Sequence, residues 1–296
     1  MSRWKADLAL VFNTFIWGIT FVLVKSALRE ISPMLFVALR FVVAAVALGT
    51  LFLWRRTRPG SPPLQVTPRA MAAGSAIGVF LFSGYLFQTL GLKTTTPPKS
   101  AFITGLCTVM VPLLAMLVYR IRPRVSEVAG VVTATLGMGL LTLEGPIGSI
   151  SRGDLLTLGG AIGFAAQIVA SGHFAEEIGF EVLSVTQVGA AALSALSLVW
   201  LVETPQVHWQ PLVVWAILIT GLLCTALAFT IQAWAQHYTT ATRTALIYAL
   251  EPVVAWITSY CLAGEGLSRQ AAIGAVLILT GVLLVEVKPF QARQHL

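Results

Sequence analysis

Charge is what this sequence has least of. Only 10% of its 296 residues are Asp, Glu, Lys or Arg, where a soluble globular domain carries about 25%. That deficit excludes an ordinary water-soluble enzyme or binding domain. Cysteine is as scarce. Cys107, Cys224 and Cys261 lie far apart inside apolar runs with no CxxC spacing, so they read as small buried hydrophobes. Catalytic motifs are missing too: there is no HExxH, no GxSxG and no GxxxxGK[ST], and "GLKTTT" separates its Gly from its Lys. His173 with Glu176 and Glu177 has metal-like letters, but without further ligands it reads as a solvated helix end. No connecting loop is long enough to house a soluble catalytic or nucleotide-binding domain. Neither a cofactor nor a nucleic-acid partner is expected.

Hydrophobicity fills the space that charge leaves. The chain is 57% hydrophobic with a mean hydropathy of +0.85, which indicates an all-α polytopic membrane protein. A spanning helix needs about 20 predominantly apolar residues. Ten segments qualify: Asp7–Ser26, Pro33–Trp54, Arg69–Leu92, Pro98–Tyr119, Ser126–Leu143, Asp154–Phe174, Val182–Leu201, Pro211–Ala235, Ala241–Ala263 and Gln270–Val287. The first has a basic start, yet its apolar run is too long for a cleavable leader and lacks a small-residue cleavage site. With the N-terminus inside, twelve Lys and Arg fall in inner segments and six in outer ones. The positive-inside rule therefore predicts cytoplasmic termini in an inner-membrane protein. Trp4, Trp54, Trp200 and Trp209 fall at span ends, as an interfacial aromatic belt requires.

The chain also repeats itself. At an offset of 144, "QTLGLKTTTPPKSAFITGL" lies over "QAWAQHYTTATRTALIYAL", so that Gln88 meets Gln232, Lys99 meets Arg243 and Leu106 meets Leu250. Gly130 meets Gly274, and Gly137 meets Gly281. At an offset of 147, Asp7 meets Asp154 and Trp17 meets Phe164. The division predicted is 1–143 and 152–288, with a cytoplasmic tail at 289–296. Five spans per half is an odd number, so direct copies must sit in opposite orientations. Inverted repeats of this kind are an architecture of secondary transporters.

These residues resemble the drug/metabolite transporter superfamily, and within it the EamA-type members with ten spans. "FIWGITFVLVKSALREISPMLFVALRF" is similar to the family's first two spans, and "KSAFITGLCTVMVPLLA" to its fourth. "TRTALIYALEPVVAWITSYCLAGEGLS" followed by "GAVLILTGVLLVE" is similar to spans 9 and 10. Two departures stand out: "GGAIGFAAQIVA" lacks the tryptophan of its first-half copy, and "YRIRPRVS" lacks a glutamate common there. The resemblance implies carriage of small metabolites, mostly outward, and leaves amino acids, nucleobases, cations and drugs all open as substrates.

Polar groups inside the spans are the site candidates, because each ionisable one costs roughly 2.5–3.5 kcal/mol to insert. Arg40 and Glu251 stand out, and neither is matched across the repeat. Glu251 reads as a ligand for a substrate cation, as a proton-coupling group, or as a structural link between helices that includes one to Arg40. For Arg40 the structural reading weighs more. Pro252 removes a backbone donor in mid-span and predicts a kink; Pro112 plays a similar part in span 4. Gln88, Gln167 and Gln232 either line a cavity or tie helices. Trp17, Tyr85 and Tyr248 offer aromatic walls to a planar or cationic substrate, or pack on neighbouring helices. Lys99 and Arg243 read as solvated helix ends, though anionic-substrate members use such residues. Gly74–Gly78 and Gly159–Gly163 are close-packing spacings.

The function expected is a secondary transporter, an exporter working by alternating access around a cavity lined by spans 1, 3, 4, 6, 8 and 9. With no ATPase, an ion gradient (protons are the candidate) or the substrate's own gradient must drive it. A channel-like facilitator and an intramembrane transferase are the rivals; the transferase would need a convergent set of His, Asp, Glu or Ser that the spans do not offer.

Overall fold

The computed structural model describes residues 3–59, 66–91, 94, 97–142, 151–175, 177–263 and 268–286, and among them the only pairing outside helices is one isolated antiparallel bridge, Ile31 to Val207. In chain order the helices are α1 Arg3–Ala27, α2 Pro33–Thr57, α3 Pro68–Gly91, α4 Pro97–Gly105, α5 Cys107–Tyr119, α6 Val125–Thr142, α7 Arg152–Phe174 and α8 Phe180–Val202. Then come α9 Pro211–Gly221, a π-helical segment Leu222–Leu227, α10 Ala228–Gln236, α11 Ala241–Tyr248, α12 Glu251–Ala263 and α13 Arg269–Glu286. The side chains of Cys261 and Lys99, with Glu176 and the tail 289–296, lie outside the described residues.

Local chemistry sets the helix starts. Pro33, Pro68, Pro97 and Pro211 each open a helix, where a missing N–H costs no intrahelical bond and the fixed φ is already helical. Ser151 and Asp154 form a reciprocal capping box at α7, and Thr240 accepts from the backbone N–H of Arg243 to start α11. The helices are apolar nearly all round, which in water would be untenable. Leu117, Val125, Leu193, Trp200 and Leu201 are each more than two-thirds exposed. Among the described residues, six helical stretches are long and apolar enough to cross a bilayer, including α2, α3, α7 and α8. The molecule is an all-helical integral membrane protein. Trp4, Trp54, Trp200 and Trp209 stand exposed near helix ends.

α3 packs on α7 and α8; the run α9–π–α10 packs on α1 and α2; α4 and α5 pack on α7, and α11 and α12 on α1. α2 lies on α8, α5 on α11, and α6 on α13. The last crossing depends on glycine. A Cβ on Gly137 would lie 2.6 Å from the carbonyl of Gly274, and one on Gly281 would lie 2.6 Å from the carbonyl of Gly130. On α3, a Cβ at Gly78 would lie 2.3 Å from the Gln187 carbonyl of α8. The expected Gly159–Gly163 spacing needs a correction. Gly163 does approach α3, with 2.7 Å left to the backbone of Gly84, but its close-packed companion is Gly160; a Cβ on Gly159 meets only the Phe87 ring at 3.6 Å.

The ninth predicted span is two helices. α11 ends at Tyr248, Ala249 and Leu250 form a turn, and α12 begins at Glu251 with Pro252 second. Pro252 therefore opens a new helix rather than kinking a continuous one. Glu251 gains the positive end of the α12 dipole. Pro112 does not play the matching part. It stays inside α5, and the fourth span breaks six residues earlier at Leu106, which is the repeat partner of Leu250.

Candidate functional site

The breaks meet at the middle of the bundle, around a cavity of about 220 Å³. Trp17, Arg40, Tyr85, Gln88, Gln167, Gln232, Tyr248 and Glu251 all line it, with Thr20, Thr104, Thr108, Cys107, Cys224 and Phe164 between them. Its walls include Phe36, Val37 and Arg40 from α2 and Met138 from α6. The lining thus extends beyond spans 1, 3, 4, 6, 8 and 9, because α2 and α6 pack directly behind the broken helices.

The aromatic wall is built in two interlocked groups. Trp17 lies edge-on to Tyr248 at 4.8 Å between ring centroids and tilted on Phe229 at 5.8 Å. Tyr85 lies edge-on to Phe41 at 5.4 Å and to Phe164 at 5.1 Å. Phe164, standing where the first half has Trp17, fills the same role as a ring. The rings therefore both face the cavity and pack on neighbouring helices.

Arg40 is 6% exposed and held from two sides. Its Nε and one terminal nitrogen donate to the Thr225 hydroxyl at 3.1 and 2.9 Å, and the same nitrogen reaches the Tyr85 hydroxyl at 3.4 Å. The guanidinium carbon lies 4.5 Å from the Tyr85 ring centroid. Among the described residues no ion pair joins Arg40 to Glu251, so the structural link expected between them is not made. Thr225 can serve because it sits in the π segment, where its own hydroxyl donates to the Thr220 carbonyl at 2.9 Å. The wide turn also presents the Cys224 carbonyl to the Trp17 indole N–H at 2.9 Å, and the Cys224 sulfur lies 3.1 Å from the Thr20 hydroxyl. Such single π turns recur at functional sites.

Glu251 differs from Arg40. It lines the cavity, and among the described residues it has no hydrogen-bond or ion-pair partner. Arg40 is thus a positioned cation, and Glu251 a carboxyl group left available to whatever enters.

On the side where α1 begins, glutamines floor the cavity. Gln167 donates to Gln187 at 3.0 Å, Gln232 donates to Gln167 at 3.0 Å, and Gln236 donates to the Ile168 carbonyl at 2.9 Å. Asn13 bridges the Ala228 carbonyl at 2.8 Å and the Tyr248 hydroxyl at 3.2 Å. Gln88, by contrast, donates across the cavity wall to Thr104 at 3.1 Å. So Gln167 and Gln232 both line the cavity and tie helices together. Gln187 stands where the repeat equates it with Arg40, while Gln236 and Asn13 went unremarked in the sequence, where nothing but their polarity within apolar runs marked them.

Below the floor comes a larger correction. Arg243, expected as a solvated helix end, is 4% exposed. Its Nε donates to one oxygen of Asp7 at 2.8 Å and a terminal nitrogen to the other at 2.7 Å. The α1 and α11 starts pack together, and this contact takes both charges out of water. His173 does stand exposed at the end of α7, stacked on Tyr119 at 3.9 Å, while neighbouring Glu177 pairs with Arg69 at 2.8 Å.

Comparison with known proteins agrees with this geometry. The model of the EamA-like transporter family matches twice, over residues 4–143 and 151–287. An uncharacterized transporter of Archaeoglobus fulgidus is 32% identical over 289 residues, covering 97% of this chain and 88% of its own. A probable amino-acid metabolite efflux pump of Salmonella typhimurium is 27% identical and covers 99% of this chain and 98% of its own. A solved crystal structure superimposes with a TM-score of 0.77 at 23% identity, covering 96% of this chain and 97% of that one, which is a likeness of fold. With two family matches spanning the helices that enclose the cavity, the chain belongs to the EamA-like transporter family and is a membrane transporter, not an enzyme.

Proposed function

We propose that this transporter exports small zwitterionic metabolites of the amino-acid kind, by alternating access between two inverted five-span repeats. The observation that carries the reading is the cavity with a fixed cation, Arg40, and a carboxyl group, Glu251, that has no partner among the described residues, beside aromatic rings. A carboxylate and an ammonium on one small molecule satisfy both charges at once, which a simple cation or anion cannot do. The cavity volume lies below the roughly 300–1,000 Å³ of drug-sized sites, which favours a small metabolite. The similarity to a probable amino-acid metabolite efflux pump points the same way.

Helix pairing supports ten spans in two halves, 1–143 and 152–288. Exchanging each span for its repeat partner turns α3 on α8 into α9–π–α10 on α2, and α3 on α7 into α9–π–α10 on α1; both pairs pack. The glycine crossing follows the same swap: Gly137 meets Gly274 and Gly281 meets Gly130, although the alignment equates 130 with 274 and 137 with 281. That is the contact pattern of two copies related by a two-fold axis. In this reading the termini are cytoplasmic in the inner membrane, and protons taken up by Glu251 supply the driving force.

The test is thermal unfolding of the purified protein against amino acids, nucleobases, organic cations and sugar phosphates, since a ligand that binds only the folded state raises apparent stability. Stabilisation by zwitterions, lost when either the ammonium or the carboxylate is blocked, is expected. Stabilisation by cations alone would replace this reading with a cation carrier.

A further inference from the structure

The Asp7–Arg243 pair has no place in the cavity, yet it spends two charges in a buried position. Only 14% of the Asp7 side chain and 5% of that of Arg243 are exposed. Both residues belong to helix starts on one face, α1 beginning at Arg3 and α11 at Ala241. Ala6, Leu10, Val111, Ala115 and Ala245 form one apolar cluster around the same helices. Pair, cluster and glutamine floor together separate the cavity from that face.

We propose that Asp7 and Arg243 are the gating residues of this mouth, and that the path opens when α11 swings away from α1 about the break at Ala249–Leu250. The geometry links the gate to the site. Glu251 lies on the far side of that break, eight positions from Arg243, or about 12 Å along the helix. A ligand that draws on Glu251 acts on the joint that carries Arg243. Chemistry favours an ion pair as a reversible closure. A buried pair gains little net free energy, because its attraction is spent against desolvation. When the mouth opens, both charges return to water and are rehydrated, so opening costs little. An apolar plug of the same size would expose its surface on every cycle.

The sequence repeat carries the same charges again. Asp154 is the counterpart of Asp7 and Lys99 that of Arg243, and they fall in the first turns of α7 and α4, on the opposite face. In the repeat, then, an acid and a base at the two helix starts recur as residue types, while Arg40 and Glu251 do not.

The inference rests on the alternating-access reading, and its test separates the two. In protein whose single cysteine is Cys107, which lines the cavity, a membrane-impermeant maleimide is applied from the face where α1 begins. Asp7→Asn and Arg243→Gln are each expected to raise the labelling rate roughly tenfold or more, the change that about 1.4 kcal/mol of lost closure produces. The exchanged pair Asp7→Arg with Arg243→Asp brings it back towards the parent. Unchanged labelling in the single variants overturns the gate. As a second measurement that does not depend on those variants, Asp7→Cys with Arg243→Cys is joined by a short bifunctional methanethiosulfonate in a background lacking the native cysteines. Flux is expected to stop and to return when a reductant cleaves the bridge. Flux that continues through the bridged protein overturns the gate alone; parent protein that carries no flux for any solute overturns the transport reading and the gate with it.

Discussion

Glu251→Gln and Arg40→Gln remove one charge each from the same cavity, and the structure predicts opposite consequences. Glu251 has no hydrogen-bond or ion-pair partner among the described residues, and its fixed electrostatic support is the α12 N-terminus, worth about 0.3–1 kcal/mol. The ligand-free Gln variant should therefore unfold within about 1 kcal/mol of the parent. Arg40 donates twice to Thr225 and lies over Tyr85. Losing those contacts should cost about 2–4 kcal/mol before any ligand is added. Ligand binding is where Glu251 shows itself. A charged hydrogen bond to a substrate ammonium is worth about 1.5–3 kcal/mol, or roughly ten- to a hundredfold in Kd. At a ligand concentration about 100 times the parent Kd, binding stabilises the parent by about 2.7 kcal/mol, while a hundredfold weaker variant keeps only about 0.4 kcal/mol. Thermal unfolding of both variants with and without the stabilising zwitterion measures all four numbers. A Glu251→Gln protein that unfolds several kcal/mol early without ligand, or that keeps the full ligand shift, would refute the reasoning and return Glu251 to a structural role.

Three further outcomes follow. Thr225→Val keeps the side-chain shape but strips Arg40 of both bonds to the Thr225 hydroxyl, so it should destabilise the ligand-free protein by about 1–3 kcal/mol, read by thermal unfolding. Gly137→Leu places a side chain where even a Cβ would lie 2.6 Å from the Gly274 carbonyl; it should prise α6 from α13 and cost about 1–3 kcal/mol or more, while Gly49→Ala, which meets nothing within 4 Å, should leave the unfolding temperature unchanged. Gln232→Leu cuts the Gln167 and Gln236 bonds of the floor and should cost about 1–3 kcal/mol, with solute exchange slowed in reconstituted vesicles.

Much of the bundle was legible because its signals are local. Apolar runs and Pro33 and Pro211 at helix starts each act within a turn or two. The cavity residues were legible for a related reason: a polar or ionisable group in a lipid-facing run must find a wet or polar neighbour, and a central cavity supplies one. What escaped the sequence depends on distant partners. Nothing in "LLCTAL" breaks a helix, and the π turn is held by Trp17 and Arg40, both on other helices. Pro112 marked a break that falls instead at Leu106, since a proline constrains its own preceding turn but does not dictate where the packing parts. Arg243 has the composition of a solvated helix end; its burial is set by Asp7, 236 residues away.

The most direct measurement of the central claim is counterflow in proteoliposomes. Vesicles containing the purified protein and loaded with an unlabelled amino acid should accumulate the labelled compound transiently, with saturation, and Glu251→Gln should abolish that accumulation at the same concentration. Uptake no greater than in protein-free vesicles for every zwitterion tried, or a conductance that does not saturate, would contradict it.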